Sequence, residues 1–455
     1  MKKGVVNEDV RDNPTAIRYF APVGRLRGTC TLPGDKSISH RALLLSALAG
    51  GTTRLHGLGT GADVAATARA LVQLGVQLQH RGAQAEVHGG PLTLLRSPLG
   101  DLDCGNSGTT LRLLCGLLAP APGVQATLRG DPSLSKRPMA RVAEPLRAMA
   151  ADIATGPSGR PPVTVQGRAL QGMSHRLPVA SAQVKTALLL AGLHANGTTS
   201  VVEPLPSRDH GERMLVALGA PVQQRGGVWS IEGQAPHLTL LRSPGQLHVP
   251  GDPSSAAFLL AAAILHEDGD IRATGVCLNP TRLGAVRVLA RMGAELAVEH
   301  DAEVAGEPVG TLHARSSTLR STDMTSDEVP ALIDELPILA LCAACAVGHS
   351  RFHGIGELRV KESDRLAATV ALLQALGVTV ASGEDWLEIQ GLGSARQLRP
   401  GGVSDAGLDH RMAMTAAVAG LCSKAGGAGL GVRGWAAVDS SFPAFAEVVA
   451  ALSAR

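Results

Sequence analysis

Pro33-Gly34-Asp35-Lys36-Ser37-Ile38-Ser39-His40-Arg41, running straight into the apolar residues 42–50, is the stretch whose reading decides the fold. Pro-Gly ends an extended segment and Ser37 reads as the N-cap of a small-residue helix, which crowds Lys36, Ser37 and Arg41 into its first turn. Free backbone amides, the helix dipole and two cations about a turn apart make such a turn attractive to an anion. Alone, the stretch also fits a capped surface helix whose cations are merely solvated. The rest of the chain shifts the balance, because it repeats the pattern.

Helix starts rich in Ser, Thr or Asn, each followed by an Ala/Leu/Gly run, recur near Ser37, Ser107, Ser181, Ser254, Asp334 and His410, a period of roughly 70 to 80 residues. Each first helix leads to a Gly-flanked β segment, at 52–57, 125–130, 198–203, 270–275 and 350–354. A second amphipathic helix then stops at Leu74-Gly75, Leu218-Gly219, Met292-Gly293 or Leu376-Gly377. Short alternating strands close the units, as at 76–79, 228–232, 295–299 and 386–390. The spacing therefore predicts an α/β chain of six βαβαββ units.

Six units of this size divide into two domains of three. Pro33-Gly34-Asp35 returns as Pro250-Gly251-Asp252, so both are expected to cross between domains: residues 33–250 form the first, and 16–32 fold back onto 251–455 to form the second. Residues 1–15 carry charge but no apolar core, and read as a mobile lead and not a signal peptide.

Composition narrows the function. The chain of 455 residues is 45% hydrophobic and 18% charged with a net charge of +3, the profile of a soluble globular protein. Five Phe, three Trp and one Tyr give bases little to stack on, which disfavours nucleic acid. Apolar runs fall short of the roughly 18 residues a bilayer span needs, so a cytoplasmic protein is expected. Seven scattered cysteines read as reduced, buried thiols, and Cys342-x-x-Cys345 has no second pair to hold a metal.

The helix starts carry the chemistry. First helices open on Lys36-Ser37 with Arg41, on Asn106-Ser107-Gly108-Thr109 with Arg112, on Ser181-Ala182-Gln183 with Lys185, on Asp334-Glu335 and on Asp409-His410-Arg411. Second helices open on Ser135-Lys136-Arg137, Ser207-Arg208-Asp209, Thr281-Arg282 and Lys361-Glu362-Ser363-Asp364-Arg365. If the units are related by pseudo-symmetry, these ends converge on a cleft lined with cations, a trap for small polyanions. Such cations should repel one another and hold the cleft open until an anion arrives. Asp334 and Glu362 are out of place in a mere anion binder and suit an enzyme that moves protons. Plainer readings compete: Asp334 or Asp409 as N-caps, Glu362 and Asp364 as solvated partners of Lys361 and Arg365, His410 as a core histidine. No Walker loop, G-x-G-x-x-G or G-x-S-x-G element occurs in its required setting.

PGDKSISHR at 33–41, GNSGT at 105–109, KRPM at 136–139, SAQ at 181–183, SRDH at 207–210, PGDPSSA at 250–256, VKESDR at 360–365 and DHRM at 409–412 together resemble, in order, the 3-phosphoshikimate 1-carboxyvinyltransferases, a family of enolpyruvyl transferases. The resemblance implies two domains of three units closing on shikimate 3-phosphate and phosphoenolpyruvate, with no metal or cofactor, in a monomer. Lys36, Ser37, Arg41 and Gln183 would meet shikimate 3-phosphate; Ser181, the Ala182 backbone, Arg208 and Lys361 would hold its phosphate, and Asp334 its hydroxyls. Lys36 would also reach phosphoenolpyruvate, whose phosphate Gly108, Arg137 and Gln183 would take, with Arg365 and Arg411 left for its carboxylate. Asp334 would be the base at the 5-hydroxyl, with Lys36 and Glu362 as candidates to protonate C3. Glyphosate, a phosphonate that occupies the phosphoenolpyruvate site in this family, would reach close to Gly108, whose other reading is a turn glycine with positive φ. Some relatives have Lys where this chain has Ser440, and Ser-Ser-Gln where it has Ser181-Ala182-Gln183. Two alternatives remain: the sister transferase acting on UDP-N-acetylglucosamine, whose Lys-Asn start and loop cysteine are unmatched by Lys36-Ser37 and Cys115, and a non-catalytic protein binding anions or RNA ends.

Overall fold

The computed structural model describes residues 16–454; the lead at 1–15 lies outside the described residues. Six helices form the interior: Lys36–Leu48, Gly108–Leu118 and Ala182–Gly192, then Pro253–Leu265, Leu336–Cys345 and His410–Cys422. Their sequences are apolar or small on nearly every side, so each must be covered all round. Every residue of Leu336–Cys345 and of His410–Cys422 is indeed buried. Gly108–Leu118 packs between Lys36–Leu48 and Ala182–Gly192, and the later three helices pack on one another. The buried apolar side chains accordingly fall into two clusters. One runs from Ile38 to Val249 with Cys277, the other takes Phe20, Leu26 and residues from Ala256 to Leu452.

Sheets and amphipathic helices wrap these interiors in a repeated order. Leu102–Asp103 pairs parallel with Gln125–Arg129, which pairs antiparallel with Val163–Gln166 and through it with Asp152–Thr155. The same strand, helix, strand, helix, hairpin path builds the sheet of Ser174–Arg176, Thr198–Val202, Val228–Glu232 and Val222–Arg225. It recurs with Asp323–Met324, His349–His353, Trp386–Gln390 and Thr379–Ser382. Leu74, Leu218, Met292 and Leu376 end their helices as expected, and the glycines after them take φ of 91°, 89°, 94° and 82°. A Cβ would be strained there, so the Leu-Gly stop has a steric cause.

Three units borrow a strand from elsewhere in the chain. Ala49–His56 takes its parallel partner from Gln246–His248, while Leu26–Thr31 pairs with Gly269–Cys277. The last unit ends in the helix Phe445–Ser453, and its antiparallel strand is Ile17–Phe20, paired with Leu430–Arg433. The two Pro-Gly-Asp turns lie side by side: Asp35 N donates to Pro250 O at 2.7 Å and Asp252 N to Pro33 O at 2.9 Å. Both carboxylates then pair with Arg282, whose side chain is 2% exposed.

The caps depart from expectation at one informative place. Asp35, not Ser37, caps the first helix, accepting from Ile38 N at 2.8 Å. Starting the helix two residues earlier leaves the Ser37 hydroxyl free of capping duty. Ser107 and Ser181 do cap theirs, Asp252 caps the fourth, and Asp409 the sixth. Asp334 is no cap: Glu335 occupies the position before Leu336–Cys345 and makes no side-chain cap bond.

Candidate active site

The first turns of four of the six inner helices, joined by Asp252 just before the fourth helix and Asp334 just before the fifth, meet at one cavity of about 400 Å³ between the two apolar clusters. From the first half come Lys36, Ser37 and Arg41, then Gly108, then Ser181, Ala182 and Gln183. Asp334 and Arg411 face them from the second half, and the leads into second helices add Arg137, Arg208, Lys361 and Glu362. Every residue singled out as a site residue lies on this wall except Arg365. That side chain is wholly buried behind it, 2.8 Å from Asp409 and 3.3 Å from Asp334.

Opposite charges interleave across the cavity. Asp334 lies 2.6 Å from Arg208, 3.3 Å from Arg365, 3.6 Å from Lys361 and 3.7 Å from Arg411. Burial would raise its carboxyl pKa, but Arg411, Lys361, Arg208 and Arg365 outweigh burial and hold it well below the usual carboxylate range. Glu362, 2.6 Å from Arg365 and 3.7 Å from Arg137, is held low against burial in the same way. Neither is a solvated surface partner. Asp364 is the exposed one, pairing with Arg359 at 2.9 Å and capping Arg365–Ala375.

The end of the wall near Gly108 and Gln183 is built from neutral caps and forked cations. Gln183 accepts from Arg112 at 2.6 Å and donates to Thr109 Oγ1 at 2.9 Å. Arg41 donates to Thr186 Oγ1 at 2.8 Å and to Ala182 O at 3.2 Å, joining two helices, and burial pulls its pKa down to about 10. Gly108 opens its helix and is absent from the positive-φ glycines, so the turn reading fails. A Cβ there would stand 2.6 Å from Arg112 Nη1 and 3.5 Å from Arg137 Nη1.

Sequence reasoning missed several contributors. Asp63 pairs with Lys36 at 3.1 Å. Arg141 and Glu357 close a two-bond pair across the cleft at 2.8 Å each, and Ser133 Oγ donates to Glu362 O at 2.9 Å. Arg141 with Glu357, Ser133 with Glu362 and Arg208 with Asp334 span the two halves, so the expected repulsion between cations is met by carboxylates set among them. Lys136 is exposed and off the wall, and Lys185 is buried behind it.

His410 is a core histidine, its Nδ1 3.1 Å from Ser440 Oγ; it and His40 are held well below the usual histidine range by burial and then by nearby cations, Lys36 foremost. Among the described residues, His210, Cys277 and Glu307 form the one group with metal-ligand spacing. Their atoms are committed to one another and to neighbours: His210 Nδ1 is 2.7 Å from Glu307, which also accepts from Asn279, and Arg282 sits 3.2 Å from His210 Nε2. A buried guanidinium beside the imidazole suits a hydrogen-bonded clasp better than a cation site. Cys115 lies inside an apolar helix, its thiol pushed up by burial to about 12, far from a reactive thiolate. No aromatic side chain lines the cavity among the described residues.

This architecture is shared with enolpyruvyl transferases: NikO of Streptomyces tendae superposes over 96% of this chain and 97% of its own with a TM-score of 0.75, at 19% identity. An EPSP synthase structure from Acinetobacter baumannii reaches 0.83 at 40% identity, covering 96% and 97%. The family model described as EPSP synthase (3-phosphoshikimate 1-carboxyvinyltransferase) matches residues 20–449, and the chain belongs to that family. Relatives bearing that name include those of Roseiflexus castenholzii, 47% identical over 93% of this chain and 97% of theirs, and Alkalilimnicola ehrlichii, 47% identical over 94% of each.

Proposed function

We propose that this cleft transfers the enolpyruvyl group of phosphoenolpyruvate to the 5-hydroxyl of shikimate 3-phosphate, releasing phosphate, a step of aromatic amino-acid biosynthesis. The observation that carries the reading is the meeting of anion-binding helix starts with two half-buried carboxylates, Asp334 and Glu362, in one cavity. Ser181, the Ala182 amide, Arg208 and Lys361 hold the phosphate of shikimate 3-phosphate, with Gln183 beside them. Lys36, Ser37 and Arg41 flank its ring. Gly108, Arg137, Gln183 and Lys36 receive the phosphate of phosphoenolpyruvate, and Arg411 its carboxylate. Arg365, buried behind Asp334 and Glu362, supports that carboxylate site through its charge.

The chemistry is addition followed by elimination. The 5-oxygen bonds to C2 of phosphoenolpyruvate as its proton leaves to Asp334 and C3 gains a proton; the tetrahedral adduct then loses phosphate from C2 and a proton from C3. Asp334 as it stands is a weak base because four cations surround it. A bound phosphate draws Arg208 and Lys361 to itself and adds negative charge nearby, and both changes restore basicity. Glu362 is likewise ionised, so Lys36, an ammonium 3.1 Å from Asp63, is the better donor to C3. The remaining cations stabilise charge on phosphate and carboxylate throughout.

Residues 33–250 and residues 16–32 with 251–455 act as two bodies joined at the paired Pro-Gly-Asp turns. The protein works as a cytoplasmic monomer without nucleic acid or cofactor; no helix among the described residues is long and apolar enough to cross a membrane. The test is phosphate release with both substrates. Release that requires shikimate 3-phosphate and phosphoenolpyruvate together supports the reading. Release with UDP-N-acetylglucosamine in place of shikimate 3-phosphate, or none with either, overturns it.

A further inference from the structure

Behind the wall formed by Ser181 and Arg208 lies a buried ionic cluster that the reaction does not use. Glu203 Oε1 accepts from Ser181 N at 2.8 Å and from Ser207 Oγ at 2.6 Å. Its Oε2 accepts from Ser207 N at 3.4 Å and stands 2.7 Å from Lys185 Nζ. The Lys185 and Glu203 side chains are 1% and 6% exposed, and neither reaches the cavity. One carboxylate therefore ties together the two segments that carry Ser181 and Arg208.

Electrostatics explain why the tie is a pair and not a lone acid. A buried anion persists only when paired, and an unneutralised carboxylate just behind a phosphate pocket would repel the phosphate. Lys185 supplies the compensating charge. The cluster's second acid, Glu212, lies 3.3 Å from Lys185 with neither oxygen in hydrogen-bond geometry, and burial pushes its carboxyl toward the protonated form. Glu203 is thus the close partner and Glu212 the distant one.

We propose that Glu203, paired with Lys185, is a positioning residue for the phosphate of shikimate 3-phosphate, fixing Ser181 and Arg208 at the separation the phosphate needs. The proposal rests on the substrate reading above. It predicts an effect confined to one ligand and one group on it. Glu203→Gln keeps the shape, but an amide oxygen cannot serve Ser181, Ser207 and Lys185 together. Lys185→Met keeps the length of the side chain and removes its charge.

The experiment measures kcat and both KM values, together with the affinities for shikimate 3-phosphate and for shikimate, which lacks the phosphate, in wild type and in each variant. We expect KM for shikimate 3-phosphate to rise roughly tenfold or more in each variant, as for loss of a charged partner. Affinity for shikimate, KM for phosphoenolpyruvate and kcat should stay within about threefold. If both variants fail to melt cooperatively, Ser207→Ala, which leaves the ion pair whole, takes their place, and the same selective loss is expected. Equal losses for both substrates, or no loss in a folded variant, overturn the positioning role alone. A wild type that binds shikimate as tightly as shikimate 3-phosphate overturns instead the substrate reading beneath it.

Discussion

The turns at Pro33-Gly34-Asp35-Lys36-Ser37 and Pro250-Gly251-Asp252-Pro253-Ser254 share a backbone and a cap yet do different work. In both, the aspartate caps the helix and its carboxylate reaches Arg282. After the cap they part. Lys36 and Ser37 face the cavity, whereas Pro253 and Ser254 are buried and Ser254 Oγ accepts from Arg282 at 2.8 Å. The cap belongs to the fold, and the residue after it decides whether a helix start meets an anion or anchors the crossing. The halves differ in the same sense: helix starts of the first bring cations and neutral caps to the cavity, and those of the second bring Asp334 and Glu362 among their cations.

Breaking the shared anchor should have the largest effect. Arg282→Leu leaves Asp35 and Asp252 buried without their cation and should cost about 3–5 kcal/mol in denaturant unfolding. A cost near zero would mean that the turns are held by their backbone bonds alone. Gly108→Ala sharpens the first half's role. The added methyl displaces Arg112 and crowds Arg137, so it should weaken phosphoenolpyruvate binding by about 1–3 kcal/mol, with a larger factor on glyphosate inhibition. Equal factors on inhibitor Ki and substrate KM would remove Gly108 from the pocket wall.

The smallest effect comes from one histidine in each half. His40 and His410 have folded pKa values well below the histidine range, set first by burial and then by neighbouring cations. Their unfolded forms protonate near pH 6.5, so their contribution is whole above that pH and is lost as pH falls. Between pH 7 and 5.5 stability should drop by about 1 kcal/mol for each histidine. His410→Gln should remove its share of the drop, and an unchanged slope in that variant would contradict the assignment.

What the sequence made legible was mostly local. Ser107 and Ser181 as caps, the Leu-Gly stops and the returning Pro-Gly-Asp follow from short-range sterics and hydrogen bonding. Asp35 and Ser37 are both good caps two residues apart, and the choice is made by Arg282, nearly 250 residues away. Lys185 follows Ser181 as Arg41 follows Ser37, by four residues, and so looked like another pocket cation. Glu203 and Glu212 draw it inward, and those two acids flanking Ser207-Arg208-Asp209-His210 were the available signal. Arg141 with Glu357 left no local trace, because the pair exists only once the halves face each other.

The division between a binding half and a reacting half is tested most directly at Asp334, by measuring turnover and shikimate 3-phosphate affinity together in Asp334→Asn. The amide keeps the shape, removes the base and frees Arg208 and Lys361 for the phosphate. Turnover should fall roughly 100-fold or more while affinity holds within about threefold or tightens. Near-normal turnover, or turnover and affinity falling in parallel, would contradict Asp334 as the base.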